Sequence, residues 1–494
     1  MIKINNLHLW IIVLSGIILR FCFISEQSLW MDEASVFNES WQRTFAQTWS
    51  LRHALQPQNA PLYPLLLVLF QKLIPINFFI SFRFLSAVFG GLTLIVLKKI
   101  SEEYFTEKKQ QFCFLLIMAF WSFHIQYSQL IRFYSLLVFV FYLHFYLSLR
   151  WFKTGERKWL VFLIFSASIG CWSNQLFILS FLMISLYSIF HHGINWRKIF
   201  IFNTINIFGF ITYIPSYLIY TRGGFKIGSF RPIGYKDFLF MLKSVFLPKH
   251  LGPSLLELRY HFFNKFPISQ FINEISPIVI LETIITICYA AILIYLLLNF
   301  KKLTKDIFIP IGILGLFLSY LFFKNVPLND RYFLIFIPII YLWIIKSVFL
   351  TNKKYQILIL FFLIFINLWS TGNYFFNKRH HVINMDKILQ SIPKSTILLS
   401  FDSATFFINY FKNLYPDKTI GLVENLAPRE VLELKAKEYF SAIPDFYFIY
   451  THRSLLKLES VKNIIESMKK THYLDDKTDS DAIYYKIYHF KKKE

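Results

Sequence analysis

The sequence is short of charge, and of acid above all. Only 16% of its 494 residues are Asp, Glu, Lys or Arg, and only 29 are acidic, where ordinary globular chains carry about 25% charged residues. That scarcity excludes a disordered chain, a fibrous repeat and most soluble enzymes. Cysteine is scarce too. The four present, Cys22, Cys113, Cys171 and Cys288, all lie in apolar runs, which leaves no disulfide framework and no Cys/His metal spacing. No internal repeat is present. The first apolar run begins near Leu7 and has no small-residue cleavage site behind it, so no cleavable signal is expected.

What the chain has in place of charge is apolar bulk. Hydrophobic residues make up 55% and aromatics 20%, for a mean hydropathy of +0.47. The acids are split unevenly, 14 in residues 1–370 and 15 in residues 371–494. The pattern implies a polytopic membrane domain followed by a compact, water-facing tail. The balance of 52 Lys+Arg against 29 Asp+Glu, a net +23, then reads as the basic bias of cytoplasmic loops and not as a nucleic-acid footprint.

A spanning helix needs about 20 mainly apolar residues. Twelve runs approach that: 7–25, 61–75, 78–97, 111–128, 133–149, 159–172, 174–190, 198–219, 276–298, 307–323, 332–350 and 355–371. Basic clusters at Lys98-Lys99 with Lys108-Lys109, Arg150 to Lys158, Arg197-Lys198, Lys301 to Lys305 and Lys353-Lys354 can all face the cytoplasm, together with Lys3, only if one early run does not cross. Run 61–75 is that one, being short and carrying Pro61, Pro64 and Pro75. The expected fold is therefore mainly α. It is a bundle of about eleven crossings over residues 1–371, N-terminus inside, with a small extracytoplasmic α/β domain over 372–494.

Four outer segments follow from that topology: 26–60, 220–275, 324–331 and the tail. In the first, Phe37, Trp41, Phe45 and Trp49 recur every four residues, which predicts one amphipathic helix lying in the interface or packed on neighbouring spans. In the tail, Thr396–Ser400, Thr419–Val423, Phe446–Tyr450 and Ala482–His489 read as strands, and Pro428–Tyr439 and Leu455–Lys470 as helices. The tail has no glycine-rich phosphate loop and no nucleophile elbow. Asp402 follows the first strand, as a loop cap or as part of a ligand site.

With acids so rare, a pair at the membrane surface stands out. Asp32-Glu33 follows Trp30-Met31 just beyond the first span. Such a pair can act as a general base with its support, or hold a divalent cation; alternatively, Asp32 caps a helix. The segment Gln126-Tyr127-Ser128-Gln129-Leu130-Ile131-Arg132-Phe133-Tyr134 puts an arginine at the outer end of a span, where it either snorkels to headgroups or binds a phosphate through its planar fork. Asp330-Arg331-Tyr332 repeats the logic, with local ion pairing as the alternative. Arg83 and Arg20 lie inside or at the start of spans and can be structural. The histidines, His53, His124, His144, His191 and His192 among them, show no ligand spacing.

Taken in order, these pieces resemble the GT-C superfamily of membrane glycosyltransferases, of the glycosyltransferase family 39 type. That family includes the protein O-mannosyltransferases and the aminoarabinose transferases of lipid A. The matching pieces are Trp30-Met31-Asp32-Glu33, Asn59-Ala60-Pro61-Leu62-Tyr63, Arg83-Phe84-Leu85-Ser86 with Gly90-Gly91, Tyr127-Ser128-Gln129 with Arg132 and Tyr134, and Arg331-Tyr332 with Pro338. The resemblance covers roughly residues 7–350.

The resemblance implies a polyprenyl-phosphate sugar donor used on the extracytoplasmic side, with a lipid, glycan or protein acceptor; high Lys, Ile and Phe usage points to an AT-rich bacterial genome and so to a bacterial plasma (inner) membrane. The resemblance also implies that Asp32 is the catalytic base with Glu33 as partner, and that Asn59, Tyr63, Arg83 and Tyr134 contact substrate. Arg132 and Arg331 are the candidates for neutralising the donor phosphate. Relatives often carry an acid shortly before the second-loop arginine. Here that stretch is Gln129-Leu130-Ile131, so no cofactor or metal is expected there. Membrane lipid is an expected partner, and nucleic acid is not. The competing classes are a flippase of lipid-linked sugars, for which repeated halves and mid-span charges would be expected, and an O-antigen-type polymerase or ligase. The latter would use the basic residues of loop 220–275 (Arg222, Arg231, Lys249, His250, Arg259 and His261).

Overall fold

The computed structural model describes residues 4–24, 31–55, 60–73, 78–192, 195–222, 250–251, 277–299 and 330–376, the strands of the tail, and residues 466 and 468–469. The chain forms two compact units. One comprises Met1–Ile24, Gln42–Gly252 and Ile278–Tyr374, and the other Ser25–Trp41, Pro253–Pro277 and Phe375–Glu494.

The first unit is helical. In chain order it holds α1 (Asn6–Phe21), α3 (Phe45–Leu55), α4 (Leu62–Leu73), α5 (Phe78–Tyr104), α6 (Lys108–Ala119), α7 (Ser122–Ser128), α8 (Tyr134–Thr154), α9 (Arg157–Ser173), α10 (Ile178–His192), α11 (Trp196–Arg222), α12 (Pro277–Asn299), α13 (Ile337–Val348) and α14 (Lys353–Phe376); α2 (Met31–Ser40) belongs to the other unit. Among the described residues, five helices are long and apolar enough to cross a membrane: Phe82–Tyr104, Tyr134–Thr154, Trp196–Leu218, Pro277–Leu296 and Lys353–Phe376. Shorter apolar helices accompany them. The run 307–323, on which a total of eleven crossings depends, lies outside the described residues. At 12 residues, α4 is about 18 Å long, well short of the roughly 30 Å hydrocarbon core.

Contacts define the two ends of this unit. At one end, Lys108 Nζ donates to Asn6 Oδ1 (2.7 Å), and Glu103 accepts from Arg150 Nη1 (2.6 Å) and Lys153 Nζ (2.8 Å). Lys98 pairs with Glu102 and lies over Trp10, Lys346 lies over Tyr104, and Lys198 Nζ reaches the Phe152 carbonyl. The N-terminus of α1 therefore sits in a basic rim. At the other end, Gln129 Nε2 donates to the carbonyls of Leu19 (3.3 Å), Arg20 (3.2 Å) and Cys22 (2.7 Å), and its Oε1 accepts from the Tyr374 hydroxyl (2.7 Å). The chain thus leaves the helical unit on one side after α1 and again after α14.

The aromatic stripe of residues 37–49 does not lie on one helix. The chain breaks between α2 and α3, with Gln42 at φ +53°. The cause is a capping box: Thr44 N donates to Gln47 Oε1 (2.9 Å) and Gln47 N to Thr44 Oγ1 (3.3 Å), which starts a new helix. Phe37 stacks on Trp41 in one unit, and Trp49 packs 5.7 Å from Trp172 in the other.

The tail contains a five-stranded sheet of β1 (Thr396–Ser400), β2 (Thr419–Leu422), β3 (Asp445–Thr451), β4 (His472–Asp479) and β5 (Tyr485–Lys492). Its order is β2-β1-β3-β5-β4, parallel from β2 to β3 and antiparallel beyond. Alternation puts Phe446 against Phe490, both fully buried, on one face and Tyr447 stacked on His489 on the other. Strand β4 is not among the expected strands, and the last expected strand overlaps β5 over Tyr485–His489, its first three residues lying outside the described ones. Asp402 and most of the two expected tail helices lie outside the described residues.

Candidate active site

The segment between α6 and α8 is a broken span held open by polar side chains. Helix α6 stops at Ala119 and α7 starts at Ser122, so carbonyls at the break need partners inside an apolar bundle. Fully buried Arg20 supplies them. Its Nη1 donates to Gly16 O (2.6 Å) and Ala119 O (3.3 Å), and its Nη2 to Met118 O (3.3 Å) and His124 Nδ1 (2.8 Å). An arginine can only donate, so His124 Nδ1 accepts and the ring proton sits on Nε2. This makes Arg20 structural. Gly90 lets α5 close on the same place, since a Cβ there would lie 2.6 Å from Ser128 Cβ.

Beyond α7 the chain turns through Gln129–Phe133. Gln129 caps the C-terminal carbonyls of α1, and Ser135 Oγ donates to Tyr127 O (2.8 Å), closing the turn onto the start of α8. This fixes the direction of Arg132. Its backbone N–H donates to Leu130 O (2.8 Å), its side chain is buried, and its guanidinium lies 5.5 Å from the Phe133 ring and 5.8 Å from the Tyr134 ring.

A second arginine arrives at the same ring from far along the chain. The 3-10 turn Asp330–Phe333 directs Arg331 so that its guanidinium lies 5.6 Å from the Tyr134 ring and 5.9 Å from Tyr332. Tyr142, two turns further along α8, donates to Ile335 O (2.6 Å) and ties that turn to the same helix. Tyr134 is 2% exposed and stands edge-on to Tyr127 at 5.2 Å. Both guanidiniums thus lie close to the Tyr134 ring, and a guanidinium's planar fork suits charge-assisted hydrogen bonds to a phosphate.

Of the other expected site residues, Arg83 and Tyr63 are held in the helical unit by contacts of their own. Arg83 is buried and its Nη1 donates to Ile24 O (3.0 Å), where the chain leaves α1. The Tyr63 hydroxyl is bonded to Ser86 Oγ, joining α4 to α5, and the residue is 1% exposed. Asn59 lies outside the described residues. Asp32 and Glu33 belong to the unit containing α2. That helix starts at Met31, so both lie in its first turn and neither is its cap. The Asp32 side chain is outside what is described. Glu33 is 1% exposed, as is Phe37, and Ser35 Oγ donates to fully buried Glu39 (3.2 Å). Among the described residues no group of three His, Cys, Asp or Glu side chains is placed to hold a metal ion. Sequence reading treated Gln129 only as part of a motif. Its capping role was legible in kind, because an amide beside a helix end in an apolar setting must bond something.

No family model and no curated protein sequence matches the chain. Its fold is similar to that of ArnT from Cupriavidus metallidurans in the apo state, with a TM-score of 0.51, 9% sequence identity and 97% of each chain covered. A structure of the same ArnT bound to undecaprenyl phosphate is similar at a TM-score of 0.49 and 10% identity, again over 97% of each chain.

Proposed function

We propose that this chain is an inverting glycosyltransferase that moves a hexosyl or pentosyl group from a polyprenyl-phosphate donor to an acceptor hydroxyl at the outer face of a bacterial plasma membrane. The meeting of Arg132 and Arg331 on Tyr134 carries the proposal. The likeness of its fold to that of ArnT supports it. So does the basic rim at the opposite end of the helical unit, which by the positive-inside rule is cytoplasmic. On that orientation the arginines, the loop after α1 and the tail all leave toward the outside.

Transfer needs three things. A base, Asp32 supported by Glu33, removes the acceptor hydroxyl proton. The oxygen then attacks the anomeric carbon from the face opposite the phosphate, forming the new C–O bond with inversion. The anomeric carbon–oxygen bond to phosphate breaks, and polyprenyl phosphate leaves with the electron pair. Two guanidiniums neutralising that leaving group replace the general acid a glycosidase would need. Lipid, glycan and protein hydroxyls are all chemically competent acceptors.

The test is turnover of purified wild type, Arg132→Ala and Arg331→Ala with a panel of radiolabelled polyprenyl-phosphate sugars. Removing one preorganised donor to a developing anion costs about 10²–10³ in kcat, and each variant is expected to lose that much while keeping its thermal unfolding midpoint. Variants that turn over like wild type would overturn the proposal.

A further inference from the structure

One buried carboxylate has no part in that mechanism. Glu282 is the only charged residue in Pro277–Leu296, the most apolar of the described spans, and it is 0% exposed. An ionisable group at such a place is rarely neutral decoration. It accepts a hydrogen bond from Asn373 Nδ2, which also donates to His250 O (2.9 Å). His250 N donates to Ser370 Oγ (3.3 Å), Ser370 bonds Ser122 Oγ (2.7 Å) at the start of α7, and the His250 ring lies 4.9 Å from that of Tyr374. The Tyr374 hydroxyl in turn donates to Gln129 Oε1 (2.7 Å). A continuous chain of contacts therefore runs from Glu282, through Asn373 and its neighbour Tyr374, to the glutamine three residues before Arg132.

We infer that Glu282 is a positioning residue of the transfer site, fixing the last turn of α14 so that Tyr374 holds Gln129 and Gln129 sets the turn that aims Arg132. This inference rests on the proposed glycosyl transfer. The carboxylate acts as a hydrogen-bond acceptor for Asn373 and does not touch substrate. The bond from Asn373 ties the last turn of α14 to α12. Slackening there moves the turn that carries Arg132, so the loss falls on departure of the leaving group.

The experiment uses the full-length protein in detergent and measures kcat and donor KM for wild type, Glu282→Gln, Glu282→Ala, Asn373→Ala and Tyr374→Phe, each checked by thermal unfolding. Glu282→Gln keeps an acceptor oxygen and is expected to retain most of the activity. Glu282→Ala and Asn373→Ala are expected to lower kcat by about tenfold or more, consistent with the rate cost of an ångström-scale misplacement, and a Glu282→Ala/Asn373→Ala double variant to be no worse than either alone. Tyr374→Phe keeps the ring and removes the hydroxyl that bonds Gln129, so it should fall in the same direction even if the alanine variants fold poorly. Wild-type kinetics in Glu282→Ala and Tyr374→Phe would overturn the inference, as would a Glu282→Gln variant as impaired as Glu282→Ala. A wild type that transfers from no donor would instead overturn the reading beneath it.

Discussion

Gly90 and Gly91 are neighbours on α5, and their surroundings predict opposite outcomes for the same change. A Cβ at Gly90 would lie 2.2 Å from Ser128 Oγ, 2.6 Å from Ser128 Cβ and 3.1 Å from Arg20 Cδ, whereas one at Gly91 would meet Ile17 side-chain carbons at 3.4 Å and beyond. The Ser128 hydroxyl is bonded to His124 O (2.6 Å), so it cannot swing away without losing that partner. Gly90→Ala must push α7 from α5 by about 1 Å to restore ordinary carbon contacts of 3.5–4.0 Å. Overpacking of that kind costs about 1–3 kcal/mol, and because α7 leads into the turn carrying Arg132, transfer should fall by up to about 10²-fold. Gly91→Ala should be neutral or gain up to about 1 kcal/mol from helix propensity. The assay is thermal unfolding and turnover of both variants in detergent, with Gly90→Ala/Ser128→Gly as the rescue. Equal behaviour of the two alanine variants, or no recovery in the double variant, would refute this account of α5–α7 packing.

Arg20→Met should cost about 3 kcal/mol or more, because it strands several buried carbonyls and His124; normal expression and unfolding midpoint would contradict its structural role. Gln129→Leu leaves the α1 carbonyls and the Tyr374 hydroxyl without their amide partner, a loss of about 1–3 kcal/mol, and should lower both kcat and the thermal unfolding midpoint; wild-type values for both would contradict the capping role. Activity should survive EDTA, since no metal is assigned a step; loss that magnesium restores would return a cation to the mechanism.

The sequence made the helical bundle legible because long apolar runs leave few alternatives. It made the arginine-bearing turns legible because charge at a span end must be accounted for. It did not reveal that Arg132 and Arg331, 199 positions apart in chain numbering, meet on Tyr134; no local pattern encodes a tertiary meeting. The break after Trp41 was encoded in Thr44-Phe45-Ala46-Gln47, but the four-residue aromatic repeat masked it. Strand β4 escaped because His472–Asp479 is rich in charge. It is an edge strand that pairs through its backbone with β5 and needs no apolar face on both sides. Glu282 could have been found as the lone charge in its span.

The most direct test of glycosyl transfer through a carboxylate base is the movement of label from a polyprenyl-phosphate sugar in membranes carrying wild type or Asp32→Asn at matched expression. The substitution keeps size and hydrogen bonding while removing the negative charge. Label should pass to lipid, glycan or protein in wild type and not in the variant. Transfer that persists in Asp32→Asn would remove Asp32 as the base, and a wild type that moves no label from any donor would contradict the account.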